Sequence, residues 1–387
     1  MGQTVPFLQR VRVTNYKSIA SCEVTFGPLL VLLGPNGAGK SNFVDALLFV
    51  ADALGSTPAD ALAKRGGLDE VLRQVPQPAD HFGIHLEFTV HLDGEPTPVE
   101  YGFLIGRDHT ERRSLVVRRE YCVVHLGEDE EGVSSAGFGM EAGMIDGGGE
   151  IEQDRLYLPL AATQGDYSDV YHSLRAMLFH HLDVDRMRQI EPFRRGTQLG
   201  YSGERLGVVL GALARAHPVF KARIDDYLRA IVPEAVSVNQ RVIDSYSTVE
   251  LHTREGERPF GPDAISEGTL HAAGVLAALF QPVVVDGQAT LVAIEEPETA
   301  LHPAAAGALF DALTEASERV QVVVTTQSAD LLDRDEFDPA SVRVVAMTGG
   351  VTVIGEIDHV SRRLVEDKRT TLGELMRSGQ LQPEVGE

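Results

Sequence analysis

A glycine-rich octapeptide between a predicted strand and a predicted helix constrains this chain more than any other feature. Residues 34–41 read Gly-Pro-Asn-Gly-Ala-Gly-Lys-Ser and match the pattern G-x-x-x-x-G-K-[ST]. Just before them, Leu29 to Leu33 form a short apolar run typical of a strand buried on both faces. From Ser41 to Leu54 apolar residues recur every three or four positions, which predicts a helix. Strand, glycine loop and helix in this order are the context that a phosphate-binding loop requires.

This loop predicts a nucleotide site and a role for several of its residues. Glycines let the backbone wrap a phosphate with its N–H groups, and the helix N-terminus adds positive potential. We expect Lys40 to neutralise the terminal phosphates and the Ser41 hydroxyl to take a Mg2+ coordination position. A nucleotide and Mg2+ are therefore the expected cofactors. The residues expected to contact the nucleotide in this segment are Asn36, Gly37, Ala38, Gly39, Lys40, Ser41 and Asn42.

A second predicted strand, far along the chain, ends in acidic residues. Residues 291–294 are apolar, and Glu295-Glu296-Pro297-Glu298 follow directly. The carboxyl ends of parallel strands meet at one edge of a sheet, so we expect these acids to lie beside the phosphate loop. Glu295 would hold Mg2+ directly or through water, and Glu296 would polarise the attacking water. The expected reaction is hydrolysis of the nucleotide's terminal phosphate, with Lys40 and Glu296 as catalytic residues.

Composition limits the classes of partner and the compartment. The 387 residues are 43% hydrophobic and 24% charged, which is ample for a packed core. Lys and Arg number 34 against 57 Asp and Glu, a formal net charge of −23, so nucleic-acid contacts require local basic clusters. Two cysteines, Cys22 and Cys122, are too few for a zinc tetrad and fit a reducing interior. Without a membrane-length apolar run or a signal-peptide pattern, we expect a cytoplasmic protein with no membrane partner.

The pattern along the chain predicts an α/β fold with a doubly wound parallel core sheet, an added antiparallel β-sheet and an inserted helical arm. Strands alternating with helices after residue 260 indicate the parallel sheet. Strand-like runs between about residues 83 and 126 indicate an antiparallel meander, with a glycine-rich loop expected from Gly127 to Gly149. The predicted divisions are 1–65, the N-terminal part of an ATPase head; 66–167, its antiparallel region; 168–235, the helical arm; and 236–387, the C-terminal part of the head.

Several further motifs resemble those of the ABC-type ATPases related to RecF, to the heads of the structural-maintenance-of-chromosomes (SMC) proteins and to the overcoming-lysogenization-defect (OLD) proteins. The resemblance runs from about residue 7 to 382 and implies a P-loop NTPase fold. The matching segments are Asn15-Tyr16-Lys17-Ser18, which resembles the opening of those heads; Ile265-Ser266-Glu267-Gly268-Thr269-Leu270, their signature motif; Glu295 to Glu298 with Leu301-His302-Pro303, their Walker B and D-loop; Thr325-Thr326-Gln327-Ser328, their switch; and Thr371 to Gly379, their closing segment.

The resemblance implies a head-to-tail homodimer with two ATP molecules between the subunits. In this family the signature motif acts on nucleotide held by a second subunit, so Ser266 and Gly268 are expected to cap the partner's γ-phosphate. Gln327 stands where the family switch is usually His, so a hydrogen bond to phosphate replaces proton sensing as its expected catalytic role. Glu295 stands where Asp is common and is one methylene longer, which makes indirect Mg2+ coordination an alternative.

Several assignments stay open. Eight arginines form local basic clusters that either grip DNA phosphates or are ordinary surface charges paired with neighbouring acids. They are Arg112, Arg113, Arg118, Arg119, Arg186, Arg188, Arg194 and Arg195. Two adjacent histidines on a predicted helix do not face one another, so a partly buried helical pair is favoured over a metal site. The remaining candidates are Gln74 and Gln164 for the Q-loop glutamine, Tyr16 and Lys17 for adenine recognition, and His180-His181 for the helical pair.

Two functions remain open. In the first, the dimer is a DNA-responsive motor or clamp used in repair, surveillance or anti-phage defence, with double-stranded DNA as a partner. In the second, it is an ATP-gated scaffold that holds and releases a separately encoded effector, such as a nuclease. No H-N-H array, Toprim-like acidic set or zinc cluster appears, so the chain itself is not expected to be a nuclease. A small-molecule phosphotransferase is a distant third, because residues 266–270 would then have no role.

Overall fold

The computed structural model describes residues 7–74, 76–108, 115–129, 132–164, 167–192, 196–333 and 338–384. The strands within these ranges are β1 (Leu8–Tyr16), β2 (Ile19–Thr25), β3 (Leu29–Leu33), β4 (His81–Leu92), β5 (Glu95–Arg107), β6 (Leu115–Asp129), β7 (Gly132–Glu141), β8 (Met144–Ile145), β9 (Met177–His180), β10 (Glu191–Pro192), β11 (Ala235–Ile243), β12 (Tyr246–Thr253), β13 (Leu291–Glu295), β14 (Gln321–Thr326), β15 (Val342–Thr348) and β16 (Val351–Gly355).

The same ranges contain thirteen α-helices and four short 3-10 turns. The helices are α1 (Lys40–Gly55), α2 (Pro58–Ala63), α3 (Leu68–Val71), α4 (Leu158–Ala161), α5 (Ser168–Arg175), α6 (Val184–Met187), α7 (Leu206–Ala216), α8 (Pro218–Ile231), α9 (Glu267–Phe280), α10 (Pro282–Val285), α11 (Ala306–Ser317), α12 (His359–Glu366) and α13 (Leu372–Arg377). The predicted helix after the phosphate loop and the predicted strands at residues 29–33 and 321–326 are confirmed.

Thirteen of the described strands form one mixed sheet in the order β8-β7-β6-β5-β4-β1-β2-β16-β15-β3-β14-β13-β9. The five strands β15, β3, β14, β13 and β9 run parallel and form the predicted core. The strands from β8 to β2 are antiparallel. The two parts join where β16 pairs with β2, at Thr352 and Ile19. The added antiparallel strands therefore extend the core sheet instead of forming a separate one.

The two faces of the core sheet bury different apolar clusters. Along β3, Leu30 and Leu32 belong to the cluster under α1, whereas Val31 and Leu33 belong to the cluster under α9 and α11. Successive strand residues point to opposite faces, so a strand covered by helices on both faces is apolar throughout. Among the described residues, one helical stretch, Glu267–Val285, is long and apolar enough to cross a membrane; 83% of its apolar window is buried inside the protein, as in a core helix.

The predicted helical arm, residues 168–235, is not helical throughout. β9 lies within it and pairs in parallel with β13, from Met177 opposite Leu291 to His180 opposite Ile294. A run of four residues is too short for its periodicity to separate a strand from a helix, which explains the error. In the same segment, α7 and α8 pack into the cluster that covers β13 and β14. The proposed domain boundaries stay predictions.

The loop expected from Gly127 to Gly149 is also wrong. β6 continues to Asp129, and β7 and β8 add two more antiparallel strands. Gly127 has φ of 101° and lies at a register shift between β6 and β7, which is the geometry of a β-bulge. Gly127, one of the glycines that suggested a loop, instead lies at a bulge between two long paired strands.

Candidate nucleotide-binding and hydrolysis site

The phosphate loop connects β3 to α1 at the carboxyl edge of the parallel strands. The Gly34 N–H donates to the Thr326 carbonyl at 3.2 Å, which ties the loop to the end of β14. Gly37 and Gly39 have φ of 75° and 104°, a region that favours glycine. A Cβ on Gly39 would lie 2.0 Å from Thr352 Oγ1, whereas a Cβ on Gly37 would meet nothing within 4 Å. The loop is therefore packed against β16 at one glycine and open at the other.

Lys40 is buried within this loop, with 5% of its surface exposed. Its Nζ donates to the carbonyl oxygens of Gly34, at 2.7 Å, and Pro35, at 3.0 Å. Burial lowers the pKa of Lys40, and three carboxylates oppose that shift, one at the end of β13 and two in the turn that follows it. The ammonium group thus donates hydrogen bonds to the loop's own carbonyls, and the negative charges of those carboxylates stabilise its positive charge.

The acids at and after the end of β13 lie at the carboxyl edge of the parallel sheet, next to the end of β14. Glu295 is the last residue of β13, pairs with Thr325 of β14, and has 11% of its side chain exposed. Glu296 has φ of 44°, and its N–H donates to the Thr325 carbonyl at 2.9 Å. Its side chain is half-buried. The two strand ends approach as predicted, because β14 pairs in parallel with both β3 and β13, so the phosphate loop and the acids follow strands that end at the same edge.

Glu298 is a residue of this site whose role sequence reasoning missed. Its Oε1 accepts hydrogen bonds from Thr326 Oγ1, at 2.5 Å, and from the Gln327 N–H, at 3.3 Å. Its Oε2 is buried and has no hydrogen-bond partner among the described residues. Burial raises the pKa of Glu298. Glu298 therefore ties the acidic turn to the switch, and its place as the third acid after β13 was the available signal. Gln327 itself is exposed.

The signature segment packs directly on the turn that carries the acids. Ser266 caps α9 and accepts a hydrogen bond from the Thr269 N–H at 3.3 Å. A Cβ on Gly268 would lie 2.4 Å from the Ala300 carbonyl oxygen, so the helix start and the D-loop approach as closely as glycine allows. Ser266 is exposed at this end of the helix. The Ser266 side chain is thus accessible to a second molecule.

Asn42 is engaged inside the protein beneath the phosphate loop. Its Nδ2 donates to Ser18 Oγ at 2.6 Å, and Ser18 Oγ lies 2.6 Å from Thr352 Oγ1. Thr352 Oγ1 donates to the Ala38 carbonyl at 2.9 Å. This chain of hydrogen bonds links the opening segment of the head and β16 to the loop. Asn42 and Ala38 therefore support the loop's shape, while Asn36, Gly37 and Ser41 are its exposed members.

Tyr16 cannot recognise adenine, so that candidate is wrong. Its ring is fully buried between Phe49 and Phe82, with edge-to-face contacts to both. Its hydroxyl donates to Asp45 Oδ2 at 2.8 Å, and Lys17 Nζ pairs with the same oxygen at 2.6 Å. The aromatic ring is part of the core under α1 because two phenylalanines from other segments enclose it. Lys17 stays an untested candidate.

Both candidate Q-loop glutamines lie outside the strands of the core sheet. Gln74 donates to backbone carbonyls of Asp69 and Leu72, and Gln164 lies in a short 3-10 turn. β13 pairs with β14 on one side and with β9 on the other, and the residue that follows β9 is His181. Both glutamines stay candidates. The prediction of a helical histidine pair is wrong, because His180 ends β9.

The two histidines have different environments. His180 is 2% exposed, its Nδ1 donates to the Gly200 carbonyl at 3.0 Å, and burial lowers its pKa to about 4. The His181 side chain is 61% exposed, and its Nδ1 lies 3.8 Å from Glu295 Oε1. Tyr201, from a later loop, stacks on the His181 ring with a centroid distance of 6.3 Å. No sequence motif indicated that Tyr201 would reach this site.

The donor set fits a metal ion that arrives with a nucleotide. Across the described ranges, no group of three or more His, Cys, Asp or Glu side chains could hold a metal ion unaided. Mg2+ in phosphate sites usually takes one or two protein ligands, several waters and the phosphates themselves. An exposed Ser41 hydroxyl and the Glu295 carboxylate match that need.

The basic clusters that could meet DNA are partly engaged within the protein. Arg118 donates to Asp80 Oδ2 at 3.1 Å, and Arg188 donates to the carbonyls of Pro262, at 2.8 Å, and Ile265, at 3.0 Å. The Arg119 guanidinium lies over a tyrosine ring, and Arg186 lies in the last turn of α6. The other four, Arg112, Arg113, Arg194 and Arg195, lie outside the described residues.

Comparison with known proteins agrees with the motifs. Residues 29–333 match the AAA_21 family, described as "AAA domain, putative AbiEii toxin, Type IV TA system". The chain is 22% identical to the OLD nuclease of Thermus scotoductus over 357 residues, which are 86% of this chain and 61% of that protein. It is 34% identical to structural maintenance of chromosomes protein 4 of Schizosaccharomyces pombe over 96 residues, which are 23% of this chain and 7% of that protein. The chain thus spans less than two thirds of either relative.

Solved structures share the fold. An SMC head bound to the C-terminal winged-helix domain of ScpA superposes with a TM-score of 0.56 and 15% identity, over 92% of this chain and 100% of the other. The SMC head domain with an extended coiled coil bound to the C-terminal domain of ScpA, from Pyrococcus furiosus, gives 0.55 and 13%, over 94% and 100%. The predicted SMC-head and OLD-like resemblance and the predicted α/β P-loop fold are confirmed. Together with the family match over most of the chain, these findings establish that the chain belongs to the AAA_21 family of AAA domains and shares the fold of SMC heads.

Proposed function

We propose that this chain binds ATP with Mg2+ and hydrolyses it. The observation that carries the proposal is that the phosphate loop, with its buried Lys40, and the acids Glu295, Glu296 and Glu298 lie at the same edge of the parallel sheet, on either side of the end of β14. A phosphate loop alone binds nucleotide, whereas a carboxylate beside it can also activate water. Family membership supports the same conclusion.

Each residue of the site has a distinct part in this reaction. Lys40 would exchange its bonds to the Gly34 and Pro35 carbonyls for bonds to the β- and γ-phosphates. Ser41 and Glu295 would hold Mg2+, which supplies charge neutralisation on the phosphate oxygens. Glu296 would orient the attacking water and accept its proton. Gln327 would hydrogen-bond the γ-phosphate from the switch, where its backbone is already tied to Glu298.

The proposed working unit is a head-to-tail homodimer. Ser266 is exposed at the start of α9, and a helix N-terminus favours an anionic ligand such as a γ-phosphate. Ser266 and Gly268 of one copy would therefore close the site of the other. Closure that needs ATP in both sites supplies a two-state element that hydrolysis can reverse.

We assign the cycle to DNA surveillance, repair or anti-phage defence. The similarity to an OLD nuclease and to an SMC protein supports this assignment. The alternative is an ATP-gated scaffold that holds and releases a separate effector, such as a nuclease, without acting on DNA. The contacts of Arg118 and Arg188 favour this alternative, because both guanidinium groups already donate hydrogen bonds to other groups of the same chain. A cytoplasmic location stays a prediction.

The test is the steady-state ATP hydrolysis rate of the purified chain with Mg2+, with and without duplex DNA. Loss of a general base typically costs 10²- to 10⁴-fold, so we expect Glu296→Gln to lower the rate at least about 10²-fold. Glu255→Gln, an exposed acid outside the site, is the matched control and should leave the rate unchanged. A rate insensitive to Glu296→Gln would overturn the proposal. Stimulation by DNA favours surveillance, and an unchanged rate with a stably copurifying protein favours the scaffold.

A further inference from the structure

We propose that the edge of β7 binds an extended, basic segment of a partner protein as an added strand of the sheet. The inference goes beyond the proposed ATPase function and does not rest on it. β7 is the last long strand at one end of the described sheet, because β8 beyond it has two residues. At the opposite end, β9 is four residues long and each of them is buried. The end at β7 is therefore the more exposed of the two.

The backbone of β7 has hydrogen-bonding groups that β8 does not reach. β8 pairs with the last two residues of β7, and the Asp146 N–H then donates to the Gly139 carbonyl at 2.9 Å. Alternate residues of a strand point their backbone groups to the same edge, so Ser135 and Gly137 direct their N–H and C=O groups the same way as Gly139. Both are exposed, and no backbone hydrogen bond from elsewhere in the described chain meets those groups. A free edge of this kind is a template for another strand.

The sequence of β7 lacks the features that usually protect an edge strand. Natural edges are blocked by proline, by charged side chains or by bulges that twist the edge away. From Gly132 to Met140, β7 contains no proline and no charged residue. Its register shift with β6 leaves the extra residue on β6, the inner strand. The edge of β7 is thus suited to backbone pairing.

The two faces of β7 favour different side chains in an added strand. Phe138 points to the core face, where its ring contacts the Tyr157 ring edge-to-face with a centroid distance of 4.9 Å. Successive side chains of a strand alternate between faces, so Ser135 and Gly137 lie on the opposite face, here called the outer face. An added strand would therefore place every second side chain beside Phe138 and the others beside small residues. Apolar side chains suit the first set.

The outer face of β7 is acidic. The Asp146 carboxylate lies against Gly139, in the space that a Cβ there would need, and Glu141 is exposed two residues further along the same face. Neither carboxylate forms an ion pair with another described residue. Arg119, opposite Glu141 on β6, lies over the Tyr121 ring instead. Basic side chains on the outer face of an added strand would meet these carboxylates.

The surrounding sequence adds to this negative charge. Residues 127–154 contain nine Asp and Glu against no Lys or Arg, so they carry −9 of the formal net charge of −23. Because like charges placed together oppose binding, a second copy of this acidic segment is a poor occupant of the edge. A partner strand in which Lys or Arg alternates with apolar residues matches both the charge of the outer face and the packing of the core face.

The experiment measures the fluorescence anisotropy of a labelled octapeptide of alternating Lys and Val, titrated with the full chain. We expect saturable binding with a Kd below about 1 mM. A peptide of alternating Glu and Val has the same strand-forming pattern and the opposite charge. It should bind at least about 10-fold more weakly, because its carboxylates meet those of the outer face.

Two substitutions at one position test the backbone edge. Ser135→Pro removes an N–H that points away from β6, where proline costs no bond of the existing ladder. It should weaken Lys-Val peptide binding at least about 10-fold, since the proline ring blocks pairing at the edge. Ser135→Ala keeps the N–H and is the matched control, so its affinity should stay within about twofold. Both variants should hydrolyse ATP at the rate of the unaltered chain, because β7 lies outside the nucleotide site.

A charge variant keeps the test independent of proline. Glu141→Gln combined with Asp146→Asn leaves the backbone edge unchanged and should weaken Lys-Val peptide binding at least about twofold. No binding at about 1 mM peptide, or binding unchanged by Ser135→Pro, would overturn the inference and leave the ATPase proposal intact. If light scattering shows a dimer without nucleotide that Ser135→Pro converts to a monomer, a second copy covers the edge and the assignment to a basic partner is wrong.

Discussion

Two glycines of the phosphate loop have similar backbone angles but different surroundings. Gly39 faces the Thr352 side chain so closely that a Cβ would lie 2.0 Å from its Oγ1, whereas nothing lies within 4 Å of a Cβ on Gly37. Both have positive φ. At Gly37 a side chain adds backbone strain alone, and at Gly39 it also displaces the hydrogen bonds that Thr352 makes to Ser18 and Ala38.

Gly39→Ala should therefore be more damaging than Gly37→Ala. We expect Gly37→Ala to lower the free energy of unfolding by about 1 kcal/mol, the usual cost of positive φ in alanine. Gly39→Ala should lower it by about 2–4 kcal/mol, since overpacking adds about 1–3 kcal/mol. Urea unfolding followed by circular dichroism measures both. Equal losses would contradict the packing of the loop against β16.

Protonation of Glu120 couples the fold to pH. It is fully buried, and it accepts hydrogen bonds from the Tyr101 hydroxyl and from the backbone N–H groups of Tyr157 and Leu158. Burial raises its pKa from 4.5 to about 7. Because the folded-state pKa is raised, this group's stabilising contribution is full below pH 4.5 and is lost as the pH rises through 7.

The difference in unfolding free energy between the unaltered chain and Glu120→Gln isolates this group, because glutamine does not titrate. We expect the difference to fall by about 3 kcal/mol between pH 4.5 and pH 8. Denaturant titrations of both proteins across that range measure it. A pH-independent difference would show that Glu120 stays ionised in the folded protein.

At the scale of elements, α9 joins the signature segment to the acidic turn within one chain. Its first turn packs on the Ala300 carbonyl at Gly268, and the buried His271, one turn later, faces the backbone of Glu296 and Pro297. Its far end holds the loop that carries Tyr201, through Gln281. A displacement of the helix start would therefore move the residues proposed to hold Mg2+ and the attacking water.

Gly268→Ala tests this packing. The new Cβ would meet the Ala300 carbonyl oxygen at 2.4 Å, a backbone atom that cannot rotate away. We expect ATP hydrolysis to fall at least about 10-fold, with about 1–3 kcal/mol of lost stability. Gly274→Ala on the same helix is the control, because its Cβ would meet the flexible Met187 thioether. Equal rates for the two variants would contradict the coupling through α9.

The elements differ in how far sequence could predict them. β3, α1 and β14 were predictable because their patterns are long or wholly apolar and the glycine loop separates β3 from α1. β9 was not, because four residues carry no period, and its place beside β13 depends on a pairing across more than a hundred residues. The position of Tyr201 follows from that pairing. Tyr16 was misassigned because its burial depends on Phe49 and Phe82.

At the scale of the whole molecule, one sheet connects two apolar clusters and carries the proposed site at its edge. The parallel strands carry Glu295 and position the phosphate loop, and the antiparallel extension joins them at a single residue pair between β16 and β2. Thr352 of that pair also supports the phosphate loop through Ala38. Ser266 is exposed at the start of α9. In the proposed dimer it contacts the γ-phosphate of the ATP that the other copy binds.

The most direct test of ATP-driven closure is the mass of Glu296→Gln in solution, measured by light scattering with and without ATP and Mg2+. Without hydrolysis the closed state should accumulate, so we expect twice the 41.9 kDa mass of one chain when ATP is present and a single-chain mass when it is absent. Adding Lys40→Ala to this variant should abolish the shift, because nucleotide binding is lost. A Glu296→Gln protein that stays monomeric with saturating ATP would contradict the account.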